Sequence, residues 1–463
     1  MARTAMPERP ARARAVTFEE VNLGFTDRLA VLEASRCLRC PHPKCIEGCP
    51  VGVRIDEFVI AVSEGDFERA AEVVARDNSL PAVCGRVCPQ ESQCEGACVL
   101  ARKERPIAIG HLERFVADRA RQARRREPVE HVAPSGWSVG VVGSGPAGLA
   151  CAFDLVRMGH AVTVYEALHE PGGVLVYGIP EYRLPKEVVA AEIELLRRHG
   201  VTFEMNAPIG RAETIDDLLD RHGAVFVGVG AGLPRFLDVP GEHLVGVFSA
   251  NEFLTRVNLM RGYAGDAETP VPDVTSKRVA VIGAGNTALD AVRTASRLGA
   301  RDATIYYRRT EDEMPARREE IRHAREEGVH FEFLLDPVGF EGDDGWLHTM
   351  RLQRMRLGEP DQSGRRRPEP VDGSPTNVPV DVVVIAVGNA PNPTLARTPG
   401  LEMSDRGTIV IDEETGMTSR RGVFAGGDIV TGGATVILAM GAGRRAATAI
   451  DRYLLAAGAP RSG

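Results

Sequence analysis

An apolar run that ends in a glycine turn and passes straight into a helical pattern occurs twice in this chain, about 140 residues apart. The first copy is Val139-Gly-Val-Val-Gly143-Ser-Gly145-Pro146-Ala147-Gly148, the second Val279-Ala-Val-Ile-Gly283-Ala-Gly285-Asn286-Thr287-Ala288. The first glycine allows a tight turn, the second lets backbone approach a pyrophosphate, and the third small residue permits close helix–strand packing. Each copy commits its region to parallel β-sheet, because strand, turn and helix form half of a βαβ unit. Between the copies lie a helical pattern from Lys186 to His199 and a strand from Phe226 to Gly230. After the second come a strand from Val382 to Val387 and a last helix from about Thr435. This order predicts an α/β chain with two Rossmann-like domains, the second inserted into the first.

The first copy is followed by an apolar strand, Ala161 to Tyr165, ending in Glu166, 18 residues after Gly148. A carboxylate there can accept from ribose hydroxyls and disfavours a 2′-phosphate, so FAD or NAD fits better than NADP. Two separated features choose FAD. Gly172-Gly173-Val-Leu-Val-Tyr-Gly178 can wrap closely on a flavin, and Gly427-Asp428 places a carboxylate at a strand end for the ribityl chain. The helix after Gly432-Gly433-Ala434-Thr435 can turn its positive end toward reduced flavin. The second copy ends its next strand, Ala303 to Tyr307, in Arg308-Arg309. Guanidinium groups at that place suit a 2′-phosphate, so NADPH is expected over NADH; the plain alternative is two solvated arginines.

Eight of the nine cysteines fall between Cys37 and Cys98, and the ninth, Cys151, reads as a small buried residue. Their spacing is Cys37-x2-Cys40-x4-Cys45-x3-Cys49-Pro50 and Cys84-x3-Cys88-Pro89-x4-Cys94-x3-Cys98. Zinc ribbons use paired C-x2-C knuckles, and this chain has a single one. The ferredoxin run, whose last cysteine precedes proline, is nearer, as Cys49 and Cys88 do the same. Two 4Fe–4S clusters are expected in an α-helical front domain, in which Asp66 caps a helix from Phe67 to Asp77 and another covers Ile55 to Glu64. No C-x4-C pair accompanies the flavin region, so electrons must leave other than through a disulfide.

Several stretches together resemble one family: Val83-Cys-Gly-Arg-Val-Cys-Pro89, Tyr177-Gly-Ile-Pro-Glu-Tyr-Arg-Leu-Pro-Lys186, Ala231-Gly-Leu-Pro-Arg235, and Tyr307-Arg-Arg309 with Glu313-Met-Pro-Ala316. The chain is similar, from about Ala34 to Leu455, to the small subunit of NADPH-dependent glutamate synthase. Relatives in that group include the NADPH-binding subunit of electron-bifurcating transhydrogenases and the N-terminal half of dihydropyrimidine dehydrogenase. The resemblance implies one cluster on Cys37, Cys40, Cys45 and Cys98. It implies a second on Cys49, Cys88 and Cys94 with an oxygen ligand, for which Glu113 occupies the matching place. Cys84 is then a packed thiol, whereas spacing alone gives four cysteines to each cluster. Arg183 is implied as a flavin contact. The implied activity is NADPH oxidation, with electrons passing through FAD and the clusters to a large partner subunit in a hetero-oligomer. That partner is the glutamate synthase large subunit, which makes glutamate from glutamine and 2-oxoglutarate, or a ferredoxin- and NAD-linked subunit. A nucleotide-binding zinc redox sensor is the alternative of another class.

The expected domains are 1–125 (iron–sulfur), 126–265 (FAD, first part), 266–380 (NADPH) and 381–463 (FAD, second part). The net charge of −8 argues against nucleic acid. Arg9, Arg12 and Arg14 read as a solvated tail, and Arg119 to Ser135 as a charged linker. No run approaches the ~20 apolar residues that span a bilayer, and no apolar stretch follows the N-terminal arginines. The cytoplasm is the expected compartment.

Overall fold

The computed structural model describes residues 2–103, 105–124, 132–264, 270–361, 364–373 and 375–458. Its front part is built from short helices. The longer ones are α1 (Asp27–Ala34), α2 (Ile55–Ser63), α3 (Phe67–Asp77), α4 (Pro81–Val87) and α5 (Ile109–Arg124). Asp66 starts α3 by accepting the Arg69 amide, and Pro81 opens α4 where no amide proton is needed. Ala61, Val62, Ala70, Leu112 and Val116 bury the faces of these helices in a common core. Because α5 runs to Arg124, the first residues expected as linker are helix; residues 125–131 lie outside the described part.

From Ser138 the chain alternates strand and helix: β1 (Ser138–Val142), α6 (Pro146–Arg157), β2 (Ala161–Tyr165), α7 (Lys186–Arg198), β3 (Thr202–Glu204) and β4 (Ala224–Val227). It then enters a second unit through β5 (Val247–Ser249), β6 (Arg278–Ile282), α8 (Asn286–Arg297), β7 (Asp302–Tyr307), α9 (Arg318–Glu326) and β8 (His330–Phe333). An antiparallel meander follows, β9 (Leu335–Asp343), β10 (Trp346–Pro360), β11 (Arg366–Pro370) and β12 (Thr376–Pro379), then β13 (Val382–Ile385). The return to the first unit is β14 (Val423–Ala425) and the long helix α10 (Val436–Ala456).

The two parallel sheets have the same design. One is ordered β14-β4-β1-β2-β3, the other β5-β13-β6-β7-β8. Both expected borders of the inserted domain therefore move outward. All four residues of β13 are buried, so it needs a neighbour on each side; Val383 lies opposite Val247 of β5 and Ala280 of β6. The insert thus begins before residue 247 rather than at 266 and extends past 380. Its two connections to the first unit pair with each other, Leu233–Pro234 antiparallel to Asn389–Ala390. The expected strand from Phe226 to Gly230 is shifted to Ala224–Val227.

The N-terminal arm is not a solvated tail. Arg14 is 2% exposed and forms ion pairs with Glu8 and Glu327, each at 3.1 Å, and with Glu326. Glu327 also pairs with Arg293 at 2.7 Å and Arg297 at 2.8 Å on α8. The arm therefore straps the front of the chain to the inserted domain. Among the described residues no helix is long and apolar enough to cross a membrane.

Candidate functional site

Three glycine turns from distant parts of the chain converge beside β1. Gly143 has φ +97, and a Cβ there would lie 2.6 Å from the Gly228 carbonyl oxygen. Gly173 has φ +54, with its Cβ position 2.8 Å from Gly145 Cα. Gly427 has φ +80, with its Cβ position 3.0 Å from Ala147 Cβ. Gly148 lies under the first turn, where a Cβ would be 1.9 Å from the Gly143 oxygen. Gly145 alone faces open space, with nothing within 4 Å of a Cβ. Pro146 is the first residue of α6, so free amides of its first turn border that space. This cradle fits a dinucleotide pyrophosphate.

Carboxylates stand on both sides of the cradle. Glu166, at the end of β2, accepts the Ser144 amide at 3.0 Å and the Leu168 amide at 2.9 Å. Asp428 accepts the Ala434 amide at 3.2 Å, which sets the N-terminus of α10, capped by Thr435, beside it. Burial raises the Asp428 carboxyl. Burial also pushes the Tyr177 phenol up to about 12, with Asp428 and Glu166 adding to the effect. Tyr177 thus feels both carboxylates, a role its sequence did not announce. Lys186 Nζ donates to the Leu175 and Leu184 carbonyls, both at 3.2 Å, and gathers the 172–184 loop. Arg183 pairs with Asp290 of α8 across the two nucleotide domains, both nearly buried. Its Nε remains without a hydrogen-bond partner among the described residues.

The second cradle repeats the first. Gly283 has φ +128 and a Cβ there would lie 2.4 Å from the Ala386 oxygen. Gly285 faces open space except for Pro315 Cγ at 4.0 Å. Asn286 accepts the Arg317 amide at 3.0 Å and holds that loop, while Thr287 is exposed at the helix start. The arginine pair is divided. Arg308 is exposed at the end of β7. Arg309 is 7% exposed, donating to the Arg366 carbonyl at 2.7 Å and to Asp361 at 2.8 Å. The expected two-arginine clamp is therefore corrected to one available guanidinium, because the meander occupies the other.

The cysteines divide into two groups. Cys37, Cys40, Cys45 and Cys98 line one cavity with Pro43 and Val99. Burial pushes Cys45 up to about 12, and Cys98 and Cys37 add to it. Cys37 is raised by burial, then by Cys40 and Cys98. In the other group, Cys49 and Cys94 are both raised by burial first and by Glu113 and Cys88 as neighbours. Cys88 is raised by the hydrogen bond its own thiol donates to Cys84, by burial, and by Glu113. Burial lifts Glu113 to about 7 against the opposing Asn78 amide, which donates to it at 2.6 Å. Thiols that oppose one another's ionisation in this way suit a cluster of cations, which removes their protons on binding. Both groups fit iron–sulfur chemistry. Cys84 is fully buried and reaches its group through Cys88; Cys151 is buried on α6.

Comparison with known proteins finds an iron–sulfur family in the front of the chain and an oxidoreductase family in the rest. The family model described as dihydropyrimidine dehydrogenase domain II, 4Fe-4S cluster, matches residues 14–125. The pyridine nucleotide-disulphide oxidoreductase model matches residues 137–451. The chain is 39% identical over 454 residues to the small chain of NADPH glutamate synthase from Escherichia coli K12, covering 97% of this chain and 96% of that one. It is 39% identical over 435 residues to the β subunit of the NADP(+)-dependent formate dehydrogenase of Moorella thermoacetica, covering 89% of this chain and 60% of that one. Among solved structures, FprA of Mycobacterium tuberculosis in complex with NADPH aligns with a TM-score of 0.58 at 22% identity. That alignment covers 69% of this chain and 85% of FprA, and it speaks to the fold alone.

Proposed function

Because the chain belongs to the family of the NADPH glutamate synthase small chain, we propose that it is an electron-input subunit that oxidises NADPH. FAD would be held by Gly143, Gly145, Glu166, Gly173 and Asp428, and NADPH by Gly283, Gly285 and Arg308. The two clusters would be held by Cys37, Cys40, Cys45 and Cys98, and by Cys49, Cys88, Cys94 and Glu113. When bound, the flavin supplies hydride acceptance and single-electron release, which a nicotinamide cannot provide alone. The chain's own part is positioning: two cradles set the cofactors, and no side chain has to move a proton for the hydride.

One observation carries the reading. Val83, Cys84 and Cys88 share a continuous hydrophobic core with Leu175, Leu184 and Ile437 of the first nucleotide domain. Cys88, a member of the second cysteine group, is therefore built into the wall of the flavin domain, the arrangement an electron path requires. A larger partner is supported by the relatives' names as a small chain and a β subunit; glutamate formation from glutamine and 2-oxoglutarate is the reaction that the sequence resemblance implies for it, with the cytoplasm as the expected compartment. The formate dehydrogenase relative is equally similar in identity, which favours one electron-input module serving different acceptors as the second reading. The test is anaerobic titration with NADPH. Stoichiometric bleaching of flavin and cluster absorbance supports the proposal; bleaching of flavin alone, with zinc in place of iron, removes it. Addition of a glutamate synthase large subunit, glutamine and 2-oxoglutarate then separates the two acceptor readings by whether glutamate forms.

A further inference from the structure

The two cysteine groups differ in what surrounds them, and that difference gives the electron path a direction. Cys88 and Cys94 are buried, and Val51, two residues after Cys49, abuts α10: a Cβ at Gly441 would lie 2.7 Å from the Val51 side chain. This group faces the flavin domain. Cys37, Cys40, Cys45 and Cys98 are all partly exposed, and none of them belongs to the core that Cys88 shares with the flavin domain. The residues that directly follow two of them are exposed and apolar, Leu38 at 59% and Val99 at 41%. Such side chains around a redox site lose solvation only if something docks on them.

The rim of this patch is basic, although the chain's net charge is −8. Arg102 and Lys103 are exposed in the turn Val99–Lys103 and have no ion-pair partner among the described residues. Arg39 lies 3.8 Å from Glu64 with both half-exposed, a pair that neutralises little. Lys44 is offset by Glu47 at 2.7 Å, and Asp56 at the cavity wall is partnered by Arg54 at 3.5 Å.

We propose that Leu38 and Val99, rimmed by Arg39, Arg102 and Lys103, form the docking surface for a protein electron acceptor that presents an apolar contact inside an acidic ring. The proposal rests on the electron-input reading and adds the exit. Each NADPH oxidised to NADP+ yields two electrons and one proton, and two acceptor molecules each gain one electron at this face. Opposite charges speed such an encounter and fix its orientation, so the association rate falls as salt rises.

Soluble cytochrome b5, an acidic one-electron haem protein, serves as the probe. The variants are Leu38→Asp and the double change Arg102→Glu with Lys103→Glu. Cytochrome b5 binding, read by its NMR shifts, is expected to weaken at least about tenfold in both. NADPH-driven reduction of cytochrome b5 should slow in parallel and lose its salt dependence in the double variant. Ferricyanide reduction and cluster bleaching by NADPH should be unchanged. If Leu38→Asp loses iron, the double variant, removed from the ligands, decides alone. Unchanged binding and reduction in the double variant overturn the docking surface. Failure of NADPH to bleach the parent protein's clusters overturns the electron-input reading instead.

Discussion

Alternation along β7 and past its end turns Arg308 toward solvent and Arg309 into the protein. Their substitutions should therefore fail in different ways. Arg308→Ala removes a charge-assisted contact to a 2′-phosphate, so KM for NADPH should rise about tenfold or more while KM for NADH stays nearly constant. Arg309→Ala strips a donor from the Arg366 carbonyl and from Asp361, and should cost about 1–3 kcal/mol of stability without discriminating the two nucleotides. Steady-state kinetics with both coenzymes and a melting curve separate them. A second pair of variants tests the cluster ligands. Glu113→Ala should reduce iron from about eight to about four per chain, and Cys84→Ala should retain about eight. Loss of a cluster in Cys84→Ala would restore the count of four cysteines each. Sequence alone located both arginines and all eight cysteines. It did not separate Arg308 from Arg309, because the partners of Arg309 lie more than 50 residues away in the chain.

At the scale of elements, the strand–turn–helix units were legible because each carries its own local chemistry. Helix α10 begins as its sequence suggested, at the Thr435 cap, and α8 starts one residue after Gly285. The meander was missed, although it has a local signal: Asp344-Gly345, at φ +49 and +83, joins β9 to β10. Register shifts between Pro337 and Gly339 and between Glu341 and Gly342 break the strict alternation that makes a strand readable. The sheet membership of β13 was equally hidden, since a fully buried strand does not announce its neighbours. Contact between α10 and α6 is tight enough to test. A Cβ at Gly443 would stand 2.1 Å from the Ala147 carbonyl oxygen, a backbone atom that cannot swing away. Gly443→Ala should cost about 1–3 kcal/mol and displace the first turn of α6. The purified variant should carry substoichiometric FAD with normal iron, measured by absorbance and metal analysis; full flavin content would show that the helices separate without disturbing the cradle.

Taken whole, the molecule joins its domains through buried charge rather than apolar contact alone. Arg14, Arg293 and Arg297 meet Glu8, Glu326 and Glu327 behind Tyr182, whose ring lies 4.7 Å from Arg293 and 3.9 Å from Arg297. Arg317 adds a tie to the front domain through the Arg86 carbonyl at 2.7 Å and Gln90 at 2.9 Å. Nothing in the local pattern of Arg14 distinguishes a strap from a tail, because two of its acidic partners, Glu326 and Glu327, lie some 300 residues away. The network makes the junction sensitive to acid. Burial alone would raise Glu327, but hydrogen bonds and charge from Arg293 and Arg297 bring it down from 4.5 to about 2. Glu320 is likewise brought down to about 2 against its burial, chiefly by Arg293 and Arg183. A carboxyl whose folded pKa is lowered stabilises fully above its unfolded value and loses that contribution as pH falls toward the folded one. The window here runs from about 4.5 down to about 2, and Glu327 alone accounts for about 3 kcal/mol across it. Amide exchange in Ala11–Arg14 and Arg318–Glu326 should therefore be pH-independent in its protection above about 5 and lose protection by pH ~3.5. Glu327→Gln should begin less protected at neutral pH and show a smaller acid loss, so that the two proteins converge as pH falls. Parallel losses in both would mean that acid opens the junction through some other group.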